Sequence, residues 1–539
     1  MKDKVFNKKN KFSGNKDKNK KNPGFESTID SISIESKGEN VILTGFIDRI
    51  AQTPGPTVFY LSDGTGVLAL KAFAGPGARA YEEINEGDAV RVSITIEEFK
   101  DELEGEIIDI ISLSEPEKKK LLDKISNLER DRAKIDPPNF LVKSPILDKL
   151  RDSFIKAATE IRLAIIQNRP IIVRHHNDAD GYSSGYALEK AILPLIEKQH
   201  GGGKSAWEFY TRAPCSAPFY EIDDSIRDTA NSLRNVAKFS NKMPLVIITD
   251  NGSSHEDLFA IKQGKVHGID FIVVDHHYFD EDVITQEVLV HINPFLVGED
   301  GSKYSAGMLC AELARFISDD VENVEQIAAM AGFADRIDNP EALNTYLSLA
   351  EKKGYTRNLI SEIARVVDFA SAKLKFMEAR EYIEVLFGEP MEKQKELVSL
   401  MAPYIKNLEE KGLKIGISNS SIEKIGEISL QSVEIEKTFP GFGFYPKPGK
   451  VIGLIHDYAQ EEKKITSLIT AGIMQSALTL RATDEANFSV HDLIAELNKK
   501  LPDAFVEGGG HKNAGSITFL PYKREEVLDI FKKFIKSRS

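Results

Sequence analysis

The sequence predicts a multidomain α/β protein with a small N-terminal β-barrel, a doubly wound parallel sheet, a helical connector and a smaller C-terminal α/β domain. Three observations predict this fold class. The chain has 539 residues, which is too long for one hydrophobic core. Short strands of alternating polarity follow the N-terminal tail. Beyond residue 140, strand-like and helical stretches alternate, a pattern typical of a parallel sheet covered by helices.

The composition is that of a soluble globular protein, with 41% hydrophobic and 28% charged residues. No apolar run approaches the ~18 residues of a membrane helix, and the Lys-rich N-terminus lacks the apolar core of a signal peptide. We therefore expect a cytoplasmic protein without a membrane partner. The only cysteines, Cys215 and Cys310, exclude a disulfide scaffold or a cysteine zinc ribbon and fit a reducing compartment.

Charge is unevenly distributed along the chain. Residues 1–24 contain nine Lys and two Asp, whereas the whole chain has a formal net charge of -13. We predict a disordered basic tail over residues 1–26, because this segment has almost nothing to bury. The acidic remainder argues against sequence-independent coating of duplex DNA, in which basic side chains supply most of the affinity.

Residues 27–114 are predicted to form the barrel. Alternating polarity marks strands over residues 41–50 and within 57–73, where Asp63 and Gly64 indicate a hairpin turn. Two further strands follow, over EGDAVRVSITIEEF and EGEIIDIISL. This pattern resembles the OB-fold, whose turn residues match Gly45 and the segment from Asp63 to Gly66.

The OB-fold resemblance implies a domain that binds single-stranded nucleic acid on aromatic side chains. The candidate platforms are Phe46, Phe59, Tyr60 and Phe73. Alternation along the strands would bury about half of them, so a core position is the alternative for each.

Three further regions are assigned from helical spacing and composition. A helical linker is predicted over residues 115–140, because residues 117–135 have helical spacing and end before two prolines. Residues 341–407 are highly charged and helical, which predicts a connector. Residues 408–539 combine apolar runs, two helical segments and a glycine-rich loop, which predicts the smaller C-terminal α/β domain.

The central region, residues 141–340, contains four strand candidates rich in Ile and Val. They cover residues 171–174, 245–249, 271–274 and 288–292. Polar residues follow each one: HHNDAD, DNGS, DHH and Asn293-Pro294. In doubly wound sheets, ligands bind beyond the carboxyl ends of the strands, so these side chains are expected to converge.

Six of the convergent positions carry metal-ligating side chains: His176, Asp178, Asp180, Asp250, His276 and Asp335. A single Asp after a strand is usually a helix cap or turn residue, and a lone His is usually a satisfied polar residue. Three acidic and imidazole motifs after three strands of one sheet favour a metal site instead. Oxygen ligands with one or two imidazoles suit Mn²⁺ or Mg²⁺, and the number of ligands suggests two ions.

These motifs resemble the DHH phosphoesterase superfamily, and residues 147–516 resemble its RecJ-like branch of the archaeal type. The resemblance is carried by HNDADG (176–181), TDNGS (249–253), VVDHH (273–277), SAG (305–307), Asp335 and GGGH (508–511). It identifies residues 141–340 as a DHH catalytic domain and residues 408–539 as a DHH-associated, substrate-binding domain.

The resemblance implies a role for each motif residue. One divalent ion would be held by His176, Asp178 and Asp250, and a second by Asp180, Asp250, His276 and Asp335. His277 would face the scissile phosphate, so that the catalytic group is His277, Asp178 and Asp250, and Asp275 would orient an imidazole. Mn²⁺ is preferred over Mg²⁺ by resemblance. His175 is the alternative to His176 as a ligand, and the H-x-D-x-D spacing favours His176.

The glycine-rich loop is the predicted substrate-binding element. Gly508, Gly509 and Gly510 would let backbone amides approach an anion, with His511 on a phosphate. Without the resemblance, a flexible turn is an equal alternative. Arg481 resembles the phosphate-holding arginine of the family.

The resemblance predicts a metal-dependent exonuclease that degrades single-stranded DNA or RNA from an end by activating water, with a place in DNA repair or replication. The first alternative is a phosphodiesterase of small substrates, namely short oligonucleotides or cyclic dinucleotides. The second is a replication-complex component in which nuclease activity is secondary, because RecJ-like folds occur as partners of the GINS complex. Single-stranded nucleic acid and GINS-type proteins are therefore the candidate partners.

Overall fold

The computed structural model describes residues 24–75, 77–99, 102–200, 208–215, 217–239, 242–374, 379–441 and 444–538. The predicted basic tail, residues 1–26, falls almost entirely outside the described residues. The chain divides into two compact units, Met1–Asp131 and Arg132–Ser539. The finer domain boundaries stay predictions.

The first unit is a closed β-barrel. Its strands are β1 (Phe25–Glu26), β2 (Asn40–Gln52), β3 (Thr57–Ser62), β4 (Val67–Ala72), β5 (Ala89–Phe99) and β6 (Glu102–Ser112). They follow the order β1-β2-β3-β4-β6-β5, and pairing of β2 with β5 closes the barrel. Leu43, Leu70 and Val92 are fully buried in its core. Asp63 shapes the predicted hairpin turn by accepting hydrogen bonds from the N–H groups of Thr65 and Gly66. The predicted barrel is confirmed.

The four aromatic candidates of the barrel differ in exposure. Phe59 is fully buried in the core, whereas Phe73 is 66% exposed. The guanidinium of Arg49 lies 4.3 Å from the centre of the Tyr60 ring. Helix α1 (Glu115–Ala133) follows the barrel, where the sequence predicts a helix.

The second unit begins with an all-parallel sheet. Its strands are β7 (Ile171–His175), β8 (Tyr210–Pro214), β9 (Leu245–Thr249), β10 (Asp270–Val274) and β11 (Val290–Ile292), in the order β11-β10-β9-β7-β8. The edge strand β8 is not predicted from the sequence, because its segment, YTRAP, has no apolar run. Arg212, in the middle of this segment, forms an ion pair with Glu189 at 2.7 Å.

Both faces of this sheet are covered by helices. The helices up to the C-terminal sheet are α2 (Pro145–Ile166), α3 (Ala179–His200), α4 (Ile222–Phe239), α5 (His255–Val266), α6 (Ala306–Ile317), α7 (Val324–Ala334), α8 (Pro340–Glu351), α9 (Arg357–Leu374), α10 (Arg380–Leu386) and α11 (Met391–Ser418). Ile171 and Val173 join one core with residues of α3, while Ile172 and Val246 join the other with residues of α5. The doubly wound arrangement is therefore confirmed.

The connector is helical, but its last helix is longer than the sequence indicates. The predicted connector ends at residue 407, whereas α11 runs unbroken from Met391 to Ser418. Residues 408–418 continue the helical spacing of the preceding turns, so no feature of the sequence marks a break there. We find no helix among the described ranges that has the length and apolar character to cross a membrane.

A mixed sheet forms the rest of the second unit. Its strands are β12 (Ser421–Ile425), β13 (Ile428–Glu434), β14 (Leu468–Ile473), β15 (Ala477–Ala482), β16 (Glu507–His511) and β17 (Ala514–Thr518), in the order β12-β13-β14-β15-β17-β16. Its helices are α12 (Ile435–Thr438), α13 (Pro448–Glu461), α14 (Val490–Lys500) and α15 (Arg524–Arg538). Separate apolar cores form with α13 and with α14 and α15. The predicted α/β fold is confirmed here as well.

The glycine-rich segment corrects one expectation. Gly508–His511 is not a loop: it belongs to β16, which forms an antiparallel hairpin with β17. Glycine is required there by close strand contact, because a Cβ on Gly508 would lie 2.4 Å from the carbonyl oxygen of Ser516. The sequence suggests a loop because glycine is rare in strand interiors.

Candidate metal centre

The candidate site lies at the carboxyl ends of three adjacent strands. In the register of the sheet, His175 at the end of β7 is opposite Thr249 of β9, which is opposite Val274 of β10. His176, Asp250 and Asp275 are the next residues of these strands. They therefore leave the sheet side by side, as expected for a parallel sheet.

His176, Asp178 and Asp250 form the first cluster. Nδ1 of His176 lies 3.0 Å from Oδ2 of Asp178 and 3.6 Å from Oδ2 of Asp250. The other oxygen of Asp178 accepts a hydrogen bond from the N–H of Gly181 at 2.9 Å. Burial raises the pKa of Asp178, but the imidazole of His176 and this N–H outweigh burial and lower that pKa.

The backbone of Asp250 is unusual. Its φ is 59°, in the left-handed region that few residues other than glycine adopt. Such conformations are found where surrounding structure enforces them, and they are frequent at functional sites. Here the turn carries the side chain of Asp250, which is only 2% exposed, between the two clusters.

Asp180, His276 and Asp335 form the second cluster. Nε2 of His276 lies 3.9 Å from Oδ2 of Asp180 and 3.5 Å from Oδ2 of Asp335. It is also 3.4 Å from Oδ1 of Asp250, which places Asp250 within reach of both clusters. Nδ1 of His276 faces the carbonyl of Gly301 at 3.1 Å. A hydrogen bond to that carbonyl puts the proton on Nδ1 and leaves the lone pair on Nε2 for the cluster.

The SAG motif holds Asp180. The N–H groups of Ala306 and Gly307, in the first turn of α6, donate to its two carboxylate oxygens at 2.9 and 3.0 Å. A Cβ on Gly307 would lie 2.8 Å from Oδ1 of Asp180 and 2.5 Å from Cβ of Ala331. The motif therefore needs glycine for this close approach, and the helix terminus favours the negative charge.

Burial, followed by repulsion between carboxylates, raises the pKa values of the acids in the second cluster. Burial and the charge of Asp250 raise the pKa of Asp180 well above its ordinary range. Burial likewise raises the pKa of Asp335 to about 6, although His276 acts in the opposite direction. Carboxylates packed this closely are costly without a cation.

His277 is held by Asp275. Oδ1 of Asp275 accepts hydrogen bonds from the N–H of His276 at 2.8 Å, the N–H of His277 at 3.2 Å and Nδ1 of His277 at 2.8 Å. Its other oxygen accepts from the N–H of Ser253 at 3.2 Å. Burial lowers the pKa of His277, but the charge of Asp275 outweighs burial and raises it. Nε2 of His277 has no hydrogen-bond partner in the described part of the chain, so it can act on a ligand.

His175 and His176 occupy different environments. His175 is fully buried, its Nδ1 donates to the carbonyl of His176 at 2.7 Å, and its ring packs edge-on against Tyr182. Burial and the charge of Arg212 lower the pKa of His175 to about 3. The structure therefore places His176, and not His175, beside the carboxylates.

The C-terminal sheet brings His511 to the same place. The ring of His511 stacks on that of His277, with centres 5.0 Å apart, and its Nε2 lies 3.8 Å from Oδ2 of Asp335. On the same strand, Gly510 has a φ of 123° and no room for a side chain, whereas nothing lies within 4 Å of a Cβ on Gly509. Gly508 and Gly510 are thus required by the hairpin itself, and Gly509 leaves an open surface.

Arg481 lies on β15 within the electrostatic reach of this site. Burial and the charge of Arg336 lower its pKa, and Asp335 acts in the opposite direction. Its charge also contributes to lowering the pKa of His511. Among the residues that the structure describes, the guanidinium of Arg481 has no hydrogen bond or ion pair.

Sequence reasoning missed two side chains at the site. Nζ of Lys447 donates to the carbonyl of Asn177 at 3.0 Å, and Arg336 pairs with Asp457 through two hydrogen bonds of 3.2 and 2.8 Å. Both contacts join sequence-distant segments, so no local pattern reveals them. The only sequence signal is that Arg336 directly follows Asp335.

The donor set fits divalent cations. Each cluster brings its candidate ligand atoms within 4.8 Å of one another. Oδ2 of Asp250 and Nε2 of His276 are buried and have no hydrogen-bond partner among the described residues. Buried polar atoms without partners are costly, so their convergence on the carboxylates indicates that a cation completes the site. Carboxylate oxygens with imidazole suit Mn²⁺ or Mg²⁺.

Comparison with known proteins agrees with this geometry. Residues 170–334 match the family described as DHH family, N-terminal domain. A protein of Methanocaldococcus jannaschii, described as uncharacterized, is 35% identical over 535 residues, which cover 94% of this chain and 70% of that protein. The chain belongs to the DHH family.

Solved structures share the fold of this DHH protein. One, described as the DHH domain of a member of a family of ribosomal proteins, is 36% identical with a TM-score of 0.73. The match covers 78% of this chain and 99% of that one. A second, exonuclease RecJ bound to manganese, is 16% identical with a TM-score of 0.50, over 74% of this chain and 96% of the other. Membership of the DHH family supports a phosphoesterase.

Proposed function

We propose that the protein is a metal-dependent phosphodiesterase, and specifically an exonuclease that degrades single-stranded DNA or RNA from an end. The observation that carries the proposal is the pair of clusters, with Asp250 in the first and 3.4 Å from His276 of the second, and with buried ligand atoms that have no hydrogen-bond partner in the described residues. His176, Asp178 and Asp250 would hold one divalent ion. The second would be held by Asp180, Asp250, His276 and Asp335, with Mn²⁺ preferred over Mg²⁺. Bound ions of this kind supply a water of lowered pKa and neutralise phosphate charge.

His277 is the proposed group that acts on the scissile phosphate. Asp275 fixes its ring through Nδ1 at 2.8 Å, so that Nε2 can donate to a phosphate oxygen. The raised pKa of His277 favours the protonated form that donates. Asp275 is the positioning residue in this pair.

A substrate phosphate is proposed to lie between the catalytic clusters and the C-terminal sheet. His511 stacks on His277 and can contact the same phosphate. Arg481 offers a guanidinium without a partner among the described side chains, which suits a phosphate in bidentate geometry. Gly508, Gly509 and Gly510 provide a strand whose open surface at Gly509 admits a ligand to the backbone.

The barrel is proposed to hold the single strand. Phe73, Arg79 and Tyr81 line an open groove of about 320 Å³ on its surface. Exposed aromatic and guanidinium groups are the stacking partners of unpaired bases. We keep the boundaries 27–114 for this domain, 141–340 for the catalytic domain and 408–539 for the substrate-binding domain, with helical segments between them, as part of the proposal.

The test uses single-stranded DNA and RNA, each labelled at the 5′ or the 3′ end, incubated with the purified chain and Mn²⁺ or Mg²⁺. We expect products that shorten from one end and no activity with chelator. Asp178→Ala should abolish cleavage by removing a proposed ligand. Mn²⁺-dependent turnover at an unchanged rate in that variant would contradict the proposed site.

One observation favours a second function, hydrolysis of short oligonucleotides or cyclic dinucleotides. Residues 27–114 contain sixteen acidic and only six basic residues, so the barrel as a whole repels a phosphate backbone. If activity falls as substrate length increases, the small-substrate function replaces the exonuclease. A GINS-type partner stays a prediction.

A further inference from the structure

One side chain of the C-terminal sheet domain contacts the loop that carries His176 and Asp178. Nζ of Lys447 donates a hydrogen bond of 3.0 Å to the carbonyl oxygen of Asn177. Asn177 lies between the two proposed ligands of the first cluster. The contact is formed across 270 residues of sequence and is partly buried.

Three consecutive carbonyl groups of this loop are anchored in different ways. The carbonyl of His176 accepts from Nδ1 of His175 at 2.7 Å, and that of Asp178 accepts from the N–H of Tyr182 at 3.0 Å. Both anchors belong to the parallel-sheet domain. The carbonyl of Asn177, between them, is anchored by Lys447 from the other domain. Oδ1 of Asn177 is buried without a hydrogen-bond partner among the described residues, so it adds no second anchor.

The backbone that carries Lys447 is constrained on both sides. It stands between Pro446 and Pro448 and is the N-cap of α13, where its carbonyl accepts from the N–H of Val451 at 3.0 Å. Pro446 packs so closely on Gly412 of α11 that a Cβ there would lie 2.9 Å from its Cδ. Fixed proline torsions and this packing hold the origin of the lysine side chain in place.

The same helix also contacts the loop of the second cluster. Asp457, near the end of α13, pairs with Arg336, the residue after Asp335. Lys447 and Asp457 are ten residues apart, which is ~15 Å along a helix. Helix α13 therefore spans the loops of both clusters. The side chain of Arg336 is 59% exposed, so its ion pair is screened by solvent, whereas the hydrogen bond of Lys447 is partly buried.

We propose that Lys447 is a positioning residue of the metal centre, which couples the placement of the C-terminal domain to the geometry of the His176–Asp178 loop. The proposal rests on the proposed function. When the domain is in place, the carbonyl of Asn177 is fixed and the side chains on either side converge on Asp250. Without this hydrogen bond, the middle of the loop is free to rotate and the first ion is held less tightly.

The test measures Mn²⁺ binding by isothermal titration calorimetry and, separately, hydrolysis of a single-stranded oligonucleotide by the full chain. We expect Lys447→Met to weaken Mn²⁺ binding at the tighter-bound or first-filled site by about tenfold. In hydrolysis, kcat should fall while KM stays nearly constant, because Lys447 holds the ligand loop. Lys447→Arg should restore most of both properties, since arginine keeps a long cationic donor.

Lys450→Met is the matched control. Lys450 lies on the same helix but faces Asp368 of α9 and Glu409 of α11, at 3.6 and 3.8 Å. The Lys450→Met variant should be less stable than the unaltered protein but should bind Mn²⁺ equally well. This result would separate a positioning role of Lys447 from general destabilisation. If Lys447→Met does not fold, as judged by thermal unfolding, Lys447→Ala removes the same donor, and the same loss of Mn²⁺ affinity is expected.

Two outcomes would be decisive against the inference. Wild-type Mn²⁺ affinity and kcat in folded Lys447→Met would overturn the positioning role while leaving the proposed function intact. Failure of the unaltered protein to bind Mn²⁺ would instead overturn the proposed function, because that measurement does not involve Lys447.

Discussion

Asp250 is the residue on which both clusters depend. Its side chain is within 3.4 Å of His276 and 3.6 Å of His176, and its left-handed backbone places it between them. Asparagine tolerates the same backbone region and has the same shape, but it lacks the negative charge that a divalent ion requires. A substitution at this position therefore separates chemistry from folding.

We predict that Asp250→Asn folds and loses at least about a hundredfold in activity, since loss of even an outer partner of a metal ligand costs tenfold to a hundredfold. Oligonucleotide hydrolysis and thermal unfolding are the two measurements. Asp282→Asn is the control, because Asp282 caps a turn outside the clusters and bonds the N–H groups of Ile284 and Thr285. Full activity in the Asp250 variant would contradict a shared ligand.

Asp275 sets the pKa of His277 in the metal-free protein. Its negative charge raises that pKa, so His277 keeps its proton to a higher pH than it would with a neutral residue at position 275. Asp275→Asn removes the charge, and the pKa of His277 should fall, with the protonated form lost at lower pH. Titration of the histidine side chains by NMR measures the shift. An unchanged His277 pKa would show that Asp275 does not control it.

At the level of elements, the first turn of α6 both packs against α7 and holds a proposed metal ligand, Asp180. Gly307 leaves room for both Ala331 and the carboxylate of Asp180. We predict that Gly307→Ala destabilises the fold by about 1–3 kcal/mol through overpacking and also lowers activity by moving Asp180. Chemical unfolding and hydrolysis measure the two effects. An unchanged free energy of unfolding would contradict the prediction, because it would mean that α6 and α7 move apart to admit the methyl group without loss of stability.

Gly509 on β16 provides the contrasting case. Because nothing lies within 4 Å of a Cβ there and its backbone is not left-handed, Gly509→Val should leave stability almost unchanged. If substrate lies over this strand, the added side chain should raise KM for oligonucleotides. Kinetics and thermal unfolding of the variant are compared with the unaltered protein. An unchanged KM would place the substrate elsewhere.

Much of the architecture is predictable from local pattern, and particular residues show where this stops. The strands ending at His175, Thr249 and Val274 each contain three or four consecutive apolar residues, mostly Ile and Val, so their position and the convergence of the following side chains can be inferred. The position of strand β8 cannot be inferred in this way, because Arg212 stands where an apolar residue is expected and forms an ion pair with Glu189. Helix α11 continues past residue 407, and the sequence there has no feature that indicates whether the helix ends or continues.

The candidate site divides in the same way. Motif spacing identified His176, Asp178, Asp250 and His276, and the structure brings them together. The H-x-D-x-D spacing favours His176 over His175, and the burial of His175 and the contact of His176 with Asp178 agree with that choice. The contacts of Lys447 arise from packing of a distant helix, and no periodicity within either segment encodes them.

For the whole molecule, the question is whether the barrel contributes to substrate binding. Phe73 is 66% exposed beside the groove that also contains Arg79 and Tyr81. If a base stacks there, Phe73→Ala should raise KM for a long single strand roughly fivefold or more and leave a dinucleotide unaffected. Phe25, 55% exposed on β1, is the matched control when changed to alanine. Equal KM values for all three proteins would remove the barrel from substrate binding and favour the small-substrate function.

The central claim is that the carboxylate and imidazole clusters at the sheet edge hydrolyse phosphodiesters with divalent metal. The most direct measurement is the time course of end-labelled single-stranded DNA and RNA cleavage by the unaltered chain and by Asp250→Asn, in Mn²⁺ and in chelator. We predict progressive shortening from one end with Mn²⁺, none in chelator, and a loss of at least about a hundredfold in the variant. Cleavage that is independent of metal, or equally fast in the variant, would contradict the account.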